Sequence, residues 1–399
     1  MATLTGRGRT LLAAGLTAAI GGLVLGQPAF TGVGVLLTAL PLLCLLSVRR
    51  PRPVAVQRTL EPRCTPTGQP ARVRLTLAGA TRTGPLLLED RVPWALGVRP
   101  RFVVPAAARE WTAEVDYTLR SDVRGRFALG RLTVRALDPF GLAVRTQVVA
   151  DQSDLIVTPS VLTLPAVGRA GTWTGAGDNR PRAFAIGSAE DVTVREYRPG
   201  DPLRRVHWRT SARTGELMVR REEQPWQSRA TVLLDNRAGA HRGHGAASSL
   251  EAAVTAAASI ASHLAARGFV VRLVTADGPS STGWHDGATA ADADRMLEEL
   301  AVVEQTQRTT IDTGWLTASS RHGMLVAVLG DVREDATTLR RLLHHGAPAV
   351  ALGLDVGRWN SGPMGTPPGE ALRAAGWRAV TVRPDTVLAA AWRELAVMP

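Results

Sequence analysis

The chain has 399 residues, 45% of them apolar, enough for two folded domains and further elements. Its net charge of +12 comes without a single lysine, so all 47 basic residues are arginine; this reads as the codon bias of a GC-rich genome, because the arginines are scattered instead of clustered on one face. The lack of lysine excludes a Walker A loop and a pyridoxal Schiff base, and Cys44 and Cys64 lack the spacing of a disulfide framework or a zinc site.

Residues 10–26 (TLLAAGLTAAIGGLVLG) carry no charge, and neither do residues 29–48 (AFTGVGVLLTALPLLCLLSV). Each run approaches the roughly 20 apolar residues that a membrane-spanning helix needs. Gln27 and Pro28 break them apart, and the Gly and Ala positions permit close helix approach. Pro41 is tolerable inside a membrane helix. Arg7 and Arg9 precede the pair, and Arg49, Arg50 and Arg52 follow it, so the positive-inside rule puts both flanks in the cytoplasm. The expectation is a transmembrane helical hairpin over residues 1–52, embedded in the lipid bilayer through residues 10–48. That makes a two-pass plasma-membrane protein with both termini and its soluble domains cytoplasmic. A cleaved signal peptide over the first run leaves the second unexplained.

From residue 53 to 160 the period changes to two. Val73 to Leu77 alternates apolar and polar, and so does Trp111 to Leu119, while Gly and Pro separate the runs. Short strands at this spacing predict an antiparallel β-sandwich-like domain. RGRFALG (124–130) and DPFGL (138–142) read as tight turns between strands, in preference to a catalytic role for Asp138.

Residues 161–228 form a linker, rich in Gly and Arg over 167–183, that ends in REYRPGDPLRRVHWRTSARTGELMVR (195–220). Pro199 and Gly200 set a turn, and Asp201 is placed to cap a helical turn over 203–208. A second turn is expected over 211–215 and a short strand over 216–221. Arginines and carboxylates crowd this stretch. Arg forks bind carboxylates bidentately, so Arg195, Tyr197, Gly200, Asp201, Arg204, His207, Trp208, Ser211, Arg213 and Glu216 read either as an interdomain clamp or as a docking patch for a partner. His207 with Asp201 or Glu216 is the one hydrolase-like grouping, but no nucleophile motif accompanies it.

Residues 229–399 alternate strand and helix. Strands are expected at 230–234, 269–275, 323–329, 347–354 and 378–382. Helices are expected at 247–267, 290–304, 334–345, 369–375 and 384–397. This pattern predicts a mostly parallel sheet covered on both faces, with any ligand at the carboxyl ends of the strands. Asp235 and Asp331 both fall there, where a divalent cation finds oxygen ligands.

This order of segments, with RGRFALG, DPFGL, the long central motif and the strand ending LLD, resembles the bacterial family named domain of unknown function 58. The resemblance implies a von Willebrand factor A-like (Rossmann-type) α/β domain behind the motif. It further implies a MoxR-type AAA+ ATPase and neighbouring membrane proteins as partners, in envelope or secretion processes. The implied role is an interaction or assembly factor. From the residues themselves, with no nucleophile motif and only 5% aromatics, a non-enzymatic protein with no cofactor, no catalytic residue and no nucleic-acid partner is expected. Von Willebrand type A metal sites begin Asp-x-Ser-x-Ser. Here the stretch is Asp235-Asn236-Arg237-Ala238-Gly239, which lacks both hydroxyls and leaves Asp235 and Asp331 as degenerate metal candidates.

Overall fold

The computed structural model describes residues 2–49, 54–81, 83–106, 109–149, 153–166, 194–197, 206, 208–220, 229–285, 289–316, 323–332, 336–344, 349–360 and 366–398. The chain is mixed α/β. It divides into two compact units: Met1–Val161 with Asp294–Glu304, and Leu162–Ala293 with Gln305–Pro399.

The first unit opens with a short strand that its apolar pattern does not announce, β1 (Ala2–Leu4). Two helices follow, α1 (Gly6–Val24) and α2 (Pro28–Arg49). Thr5 caps α1 by accepting a hydrogen bond from the Gly8 amide at 3.1 Å. Gly26, in the left-handed region at φ +65°, turns the chain between them. The helices run side by side in opposite directions, with Gly15 against Thr38, Gly22 against Thr31 and Gly34 against Ala19. Among the described residues, α2 is the one helix long and apolar enough to cross a membrane.

Ten strands complete this unit: β2 (Val54–Glu61), β3 (Cys64–Pro66), β4 (Ala71–Gly79), β5 (Leu86–Glu89), β6 (Arg101–Val104), β7 (Trp111–Leu119), β8 (Gly125–Leu129), β9 (Leu132–Leu137), β10 (Ala143–Val149) and β11 (Ser153–Thr158). They make three sheets, ordered β1-β10-β9-β5-β6, β2-β4-β7 and β3-β11-β8. All pairings are antiparallel except β3 with β11. Alternation places Val73, Leu75 and Leu77 of β4 in one core with Leu86, Leu88, Leu129, Leu132 and Leu155. Asp90 is a polar group sealed inside. It takes a guanidinium hydrogen bond from Arg58 at 2.5 Å and a hydroxyl hydrogen bond from Tyr117. Burial pushes the Asp90 carboxyl up, while Tyr117 and Arg58 pull it back.

The DPFGL segment is the tight turn expected of it. The Asp138 carboxylate accepts the Phe140 amide at 2.8 Å and the Ala143 amide, and Gly141 sits at φ +70°. The turn also docks the first helix: the Thr5 amide donates to Leu142 O at 2.9 Å and its hydroxyl to Gly141 O at 2.7 Å. Arg145 of β10 donates to Arg49 O at 2.7 Å, which caps α2 and opposes its dipole.

The second unit begins with β12 (Val194–Glu196), α3 (Trp208–Thr214) and β13 (Met218–Arg220). Then come β14 (Arg229–Leu234), α4 (Ser249–Ala266), β15 (Val270–Thr275), β16 (Gly278–His285), α5 (Ala290–Ala301), β17 (Met324–Leu329), α6 (Ala336–Leu343), β18 (Ala349–Leu354), α7 (Pro368–Ala374), β19 (Arg378–Val382) and α8 (Leu388–Val397). The large sheet runs β16-β15-β14-β17-β18-β19, parallel throughout except for the edge strand β16. Strand order therefore reverses between β14 and β17, the point where ligands sit in sheets of this kind. Ser248 caps α4 by accepting the Glu251 amide at 3.3 Å, and Gly268, at φ +82°, ends the helix.

Three expectations need correction here. RGRFALG, expected as a tight turn, is strand β8 over Gly125–Leu129, paired along its length with β11. β16 was not foreseen, because GPSSTGWH lacks apolar alternation. The last helix starts at Leu388 and not at residue 384: Arg383 and Thr386 close a turn around Pro384 through hydrogen bonds of 2.8 and 3.0 Å.

Residues Asp294–Glu304, the larger part of α5 and its exit, group with the first unit. There the buried Arg124 of RGRFALG donates to Leu300 O at 3.0 Å and to Val303 O, capping the helix end. The Cys64 thiol donates to Glu298 at 3.0 Å. Burial and that carboxylate push the thiol up to about 12, so it remains protonated at neutral pH.

Candidate functional site

The carboxyl ends of β14 and β17 hold a buried polar cluster. The Asp235 amide extends the ladder by donating to Val328 O at 2.9 Å, which fixes the side chain at the strand end. Asp235 is fully buried, and Arg237 grips it bidentately, Nε to Oδ1 and Nη2 to Oδ2, both at 2.9 Å. The Arg237 amide reaches Oδ1 at 3.2 Å and the Gly330 amide Oδ2 at 3.3 Å. Gly330 is required there, because a Cβ at that position would lie 2.2 Å from Ala240 O. The other edge of the guanidinium donates to Thr309 O at 2.9 Å and Asp331 O at 3.4 Å.

The neighbours extend the network. Asn236 accepts the Ala276 amide through its side chain and the Thr306 amide through its carbonyl, each at 2.9 Å. His241 Nε2 lies 2.6 Å from Asp235 O, and Nδ1 lies 3.0 Å from Ser249 Oγ. A carbonyl only accepts, so Nε2 carries the proton and the neutral ring takes the Ser249 hydroxyl at Nδ1. Burial holds the His241 pKa below the ordinary histidine value.

Both Asp235 oxygens are engaged by an internal cation, so the strand-end aspartate forms an ion pair. Among the described residues, no three His, Cys, Asp or Glu side chains gather as a metal-ligand set. Asp331 contributes backbone to the cluster: its amide donates to Ala240 O at 2.9 Å.

One pH dependence follows. The folded state resists protonating His241, while the unfolded chain takes a proton at its ordinary value near 6.5. The unfolded state then binds more protons, so stability falls as pH drops through about 6.5. Melting temperatures of wild type and His241→Gln, followed from pH 8 to 5.5, should converge as the pH falls, the wild type losing more. Parallel curves would show that His241 is protonated equally in both states.

The central motif forms a small antiparallel framework. β12 pairs with β13 in the register Val194 to Arg220, Arg195 to Val219 and Glu196 to Met218. The Tyr197 amide adds a bond to Leu217 O at 2.8 Å. Between them stands α3, where a turn over 211–215 was expected. Ser211 to Thr214 continue the helix, and Gly215, at φ +77°, stops it. Ser211 Oγ accepts the Met218 amide at 2.8 Å, tying helix to strand. Val206 and Val219 form a bridge and are both buried. Outward stand Trp208, 66% exposed, and Leu217, 43% exposed. Arg209, Arg213 and Glu216 are exposed beside them, and none makes an ion pair with another described residue. Arg195 is placed through its backbone in β12. Gly200, Asp201, Arg204 and His207, with the helical turn expected over 203–208, lie outside the described residues apart from Val206 and Trp208.

The buried Arg58–Asp90–Tyr117 group escaped the sequence reading. Arg58 on β2, Tyr117 on β7 and Asp90 just after β5 carry no shared local signal.

Solved structures offer only partial likenesses. The CARDB domain of a Pyrococcus furiosus protein, in complex with di-metal ions, is 11% identical over 27% of this chain and 96% of its own, with a TM-score of 0.21. The Pseudomonas fluorescens alkylpurine DNA glycosylase AlkC, bound to DNA containing an abasic site analog, is 13% identical over 32% of this chain and 40% of its own, at 0.17. A Bifidobacterium adolescentis GH3 beta-glucosidase is 12% identical over 31% and 19%, at 0.15. At such scores these likenesses bear on neither fold nor function. No curated protein matches the chain. The β12–α3–β13 framework and the first four parallel strands fall within a stretch that does match a family profile: residues 193–354 match the family described as protein of unknown function DUF58.

Proposed function

We propose that the protein is a two-pass membrane protein with cytoplasmic soluble domains, acting as a non-enzymatic interaction factor for a MoxR-type AAA+ ATPase in envelope or secretion-related assembly. The anchor is a transmembrane helical hairpin made by α1 and α2. The length and hydropathy of α2, the uncharged run inside α1 and the arginines on both flanks support it. The strand order of the second unit is in keeping with a von Willebrand factor A-like domain, and the sheets of the first with a sandwich.

The observation that carries the interaction reading is the outer face of β12–α3–β13. Trp208 and Leu217 offer apolar surface to solvent next to the exposed Arg209 and Arg213, on a framework tied together by Ser211. Trp and Arg are the residue types that dominate protein interfaces. Among the described residues Arg209 and Arg213 have no carboxylate partner, which favours a docking patch over a clamp at this end of the motif.

Full-length protein, solubilised from native membranes with its helices intact, should retain the ATPase on affinity capture. Trp208→Ala and Arg213→Glu should each weaken binding by about 2 kcal/mol, roughly 30-fold in affinity. Wild-type protein that retains no AAA+ ATPase overturns the reading.

A further inference from the structure

We infer that the DPFGL turn is a membrane-interface foot, with the Phe140 ring seated among lipid headgroups and upper acyl chains. The inference rests on the reading that α1 and α2 span the bilayer, and it adds a lipid contact made by the soluble sheet itself.

The depth of the turn follows from what it touches. Leu142 and Ala143 form one apolar cluster with Cys44 and Val48 of α2, with Leu11 and Leu40 packed against it. Gly8 of α1 lies directly against Leu142, where a Cβ would meet the carbonyl oxygen at 2.1 Å. α2 has 22 residues, about 33 Å at 1.5 Å per residue, against a hydrocarbon core about 30 Å thick. Cys44 therefore stands about 8 Å before the helix end at Arg49, at or inside the hydrocarbon boundary. A turn packed on Cys44 and Val48 shares that depth.

The chemistry of the turn suits the place. Phe140 is 64% exposed, at the tip of a turn held rigid by the Asp138 carboxylate. An exposed apolar ring here meets lipid and not water, and Phe is among the residues that interfacial segments bury at the headgroup–acyl boundary. The one charge in the turn, Asp138, is buried and satisfied by two backbone amides, so it does not oppose insertion. Arg7, Arg9 and Arg49 are exposed around the same helix ends, matched to lipid phosphates. Thr5 and Arg145 fasten the turn and β10 to the two helix ends, so the sheet is fixed against the membrane surface.

The test uses full-length protein in nanodiscs of mixed zwitterionic and anionic phospholipid, in a Cys44→Ala, Cys64→Ser background. Nitroxide labels are placed singly through Phe140→Cys, Leu36→Cys and Trp94→Cys. Leu36 is a lipid-facing reference on α2, 67% exposed, and Trp94 is a water reference, 89% exposed. Accessibility to oxygen against a water-soluble nickel chelate is read by power saturation. The expected result is a high oxygen-to-nickel ratio at 36 and 140 and a low one at 94. A ratio at 140 matching that at 94, with 36 still oxygen-rich, overturns the foot and leaves the spanning helices standing. Low ratios at both 36 and 140 overturn the bilayer reading beneath it. A label at 140 shielded from both reagents points to a protein contact, and that also overturns the lipid assignment.

Discussion

Arg237→Ala should destabilise the second unit by about 3–5 kcal/mol, because it leaves the fully buried Asp235 carboxylate facing no cation. Four hydrogen bonds reach that carboxylate, and two come from the guanidinium that the variant removes. The remaining amides of residues 237 and 330 are neutral donors at 3.2 and 3.3 Å, too long to offset the desolvation of a buried charge. In a unit of this size each kcal/mol moves the melting temperature by about 2–4 °C, so a drop of roughly 10 °C is expected. The paired replacement Asp235→Leu with Arg237→Met should recover most of the loss, since apolar residues of similar volume tolerate a site that a lone charge does not. Thermal melts of the full-length protein check both. An Arg237→Ala variant melting with the wild type would show that the guanidinium is not what holds Asp235.

The same pair shows what could be read from the residues in advance. Asp235 at a strand end, with an arginine two positions on, already stood against a divalent cation, and the ion pair is that local fact carried into three dimensions. Local periodicity was equally legible: the nine alternating residues from Trp111 to Leu119 are strand β7 from end to end, and the strand–helix alternation after residue 229 gave the parallel sheet. What stayed hidden depended on long-range pairing. Three residues near the amino terminus make a strand only because residues 143–145 lie alongside. β16 survives as an edge strand on the ladder of β15, with no apolar face of its own to announce it. Ser211 to Thr214 belong to a helix that Gly215 ends and not to a turn over 211–215, with Ser211 bonded to Met218 across it. DPFGL read correctly as a turn, but its hold on Thr5 spans more than 130 residues and has no sequence signature. In the β12–α3–β13 framework, the composition was visible while the division between inward Val206 and Val219 and outward Trp208 and Leu217 was not.

Gly34→Leu should force α1 and α2 apart. A Cβ at residue 34 falls 2.2 Å from the Ala19 amide nitrogen and 2.5 Å from its Cα, both backbone atoms that cannot rotate away. Small residues are what allow helices to close to this distance in a bilayer, where packing takes over from the hydrophobic effect. Overpacking at such a site costs about 1–3 kcal/mol and often more when backbone must move. Gly32 supplies the control: nothing lies within 4 Å of its would-be Cβ, so Gly32→Leu adds an apolar side chain to an open face and leaves the pair intact. SDS-driven unfolding in mixed micelles separates the two, with the midpoint falling for Gly34→Leu and holding or rising for Gly32→Leu. The consequence reaches beyond the helix pair. Leu142 and Ala143 pack on Cys44 and Val48 of α2, while Thr5 and Gly8 at the head of α1 grip the same turn, so one loop spans both helix ends. Splaying the helices should therefore loosen residues 138–143, and faster amide exchange there in Gly34→Leu, absent from Gly32→Leu, is the expected signature. Unchanged exchange in that turn would mean that the sheet holds it without help from the helix pair.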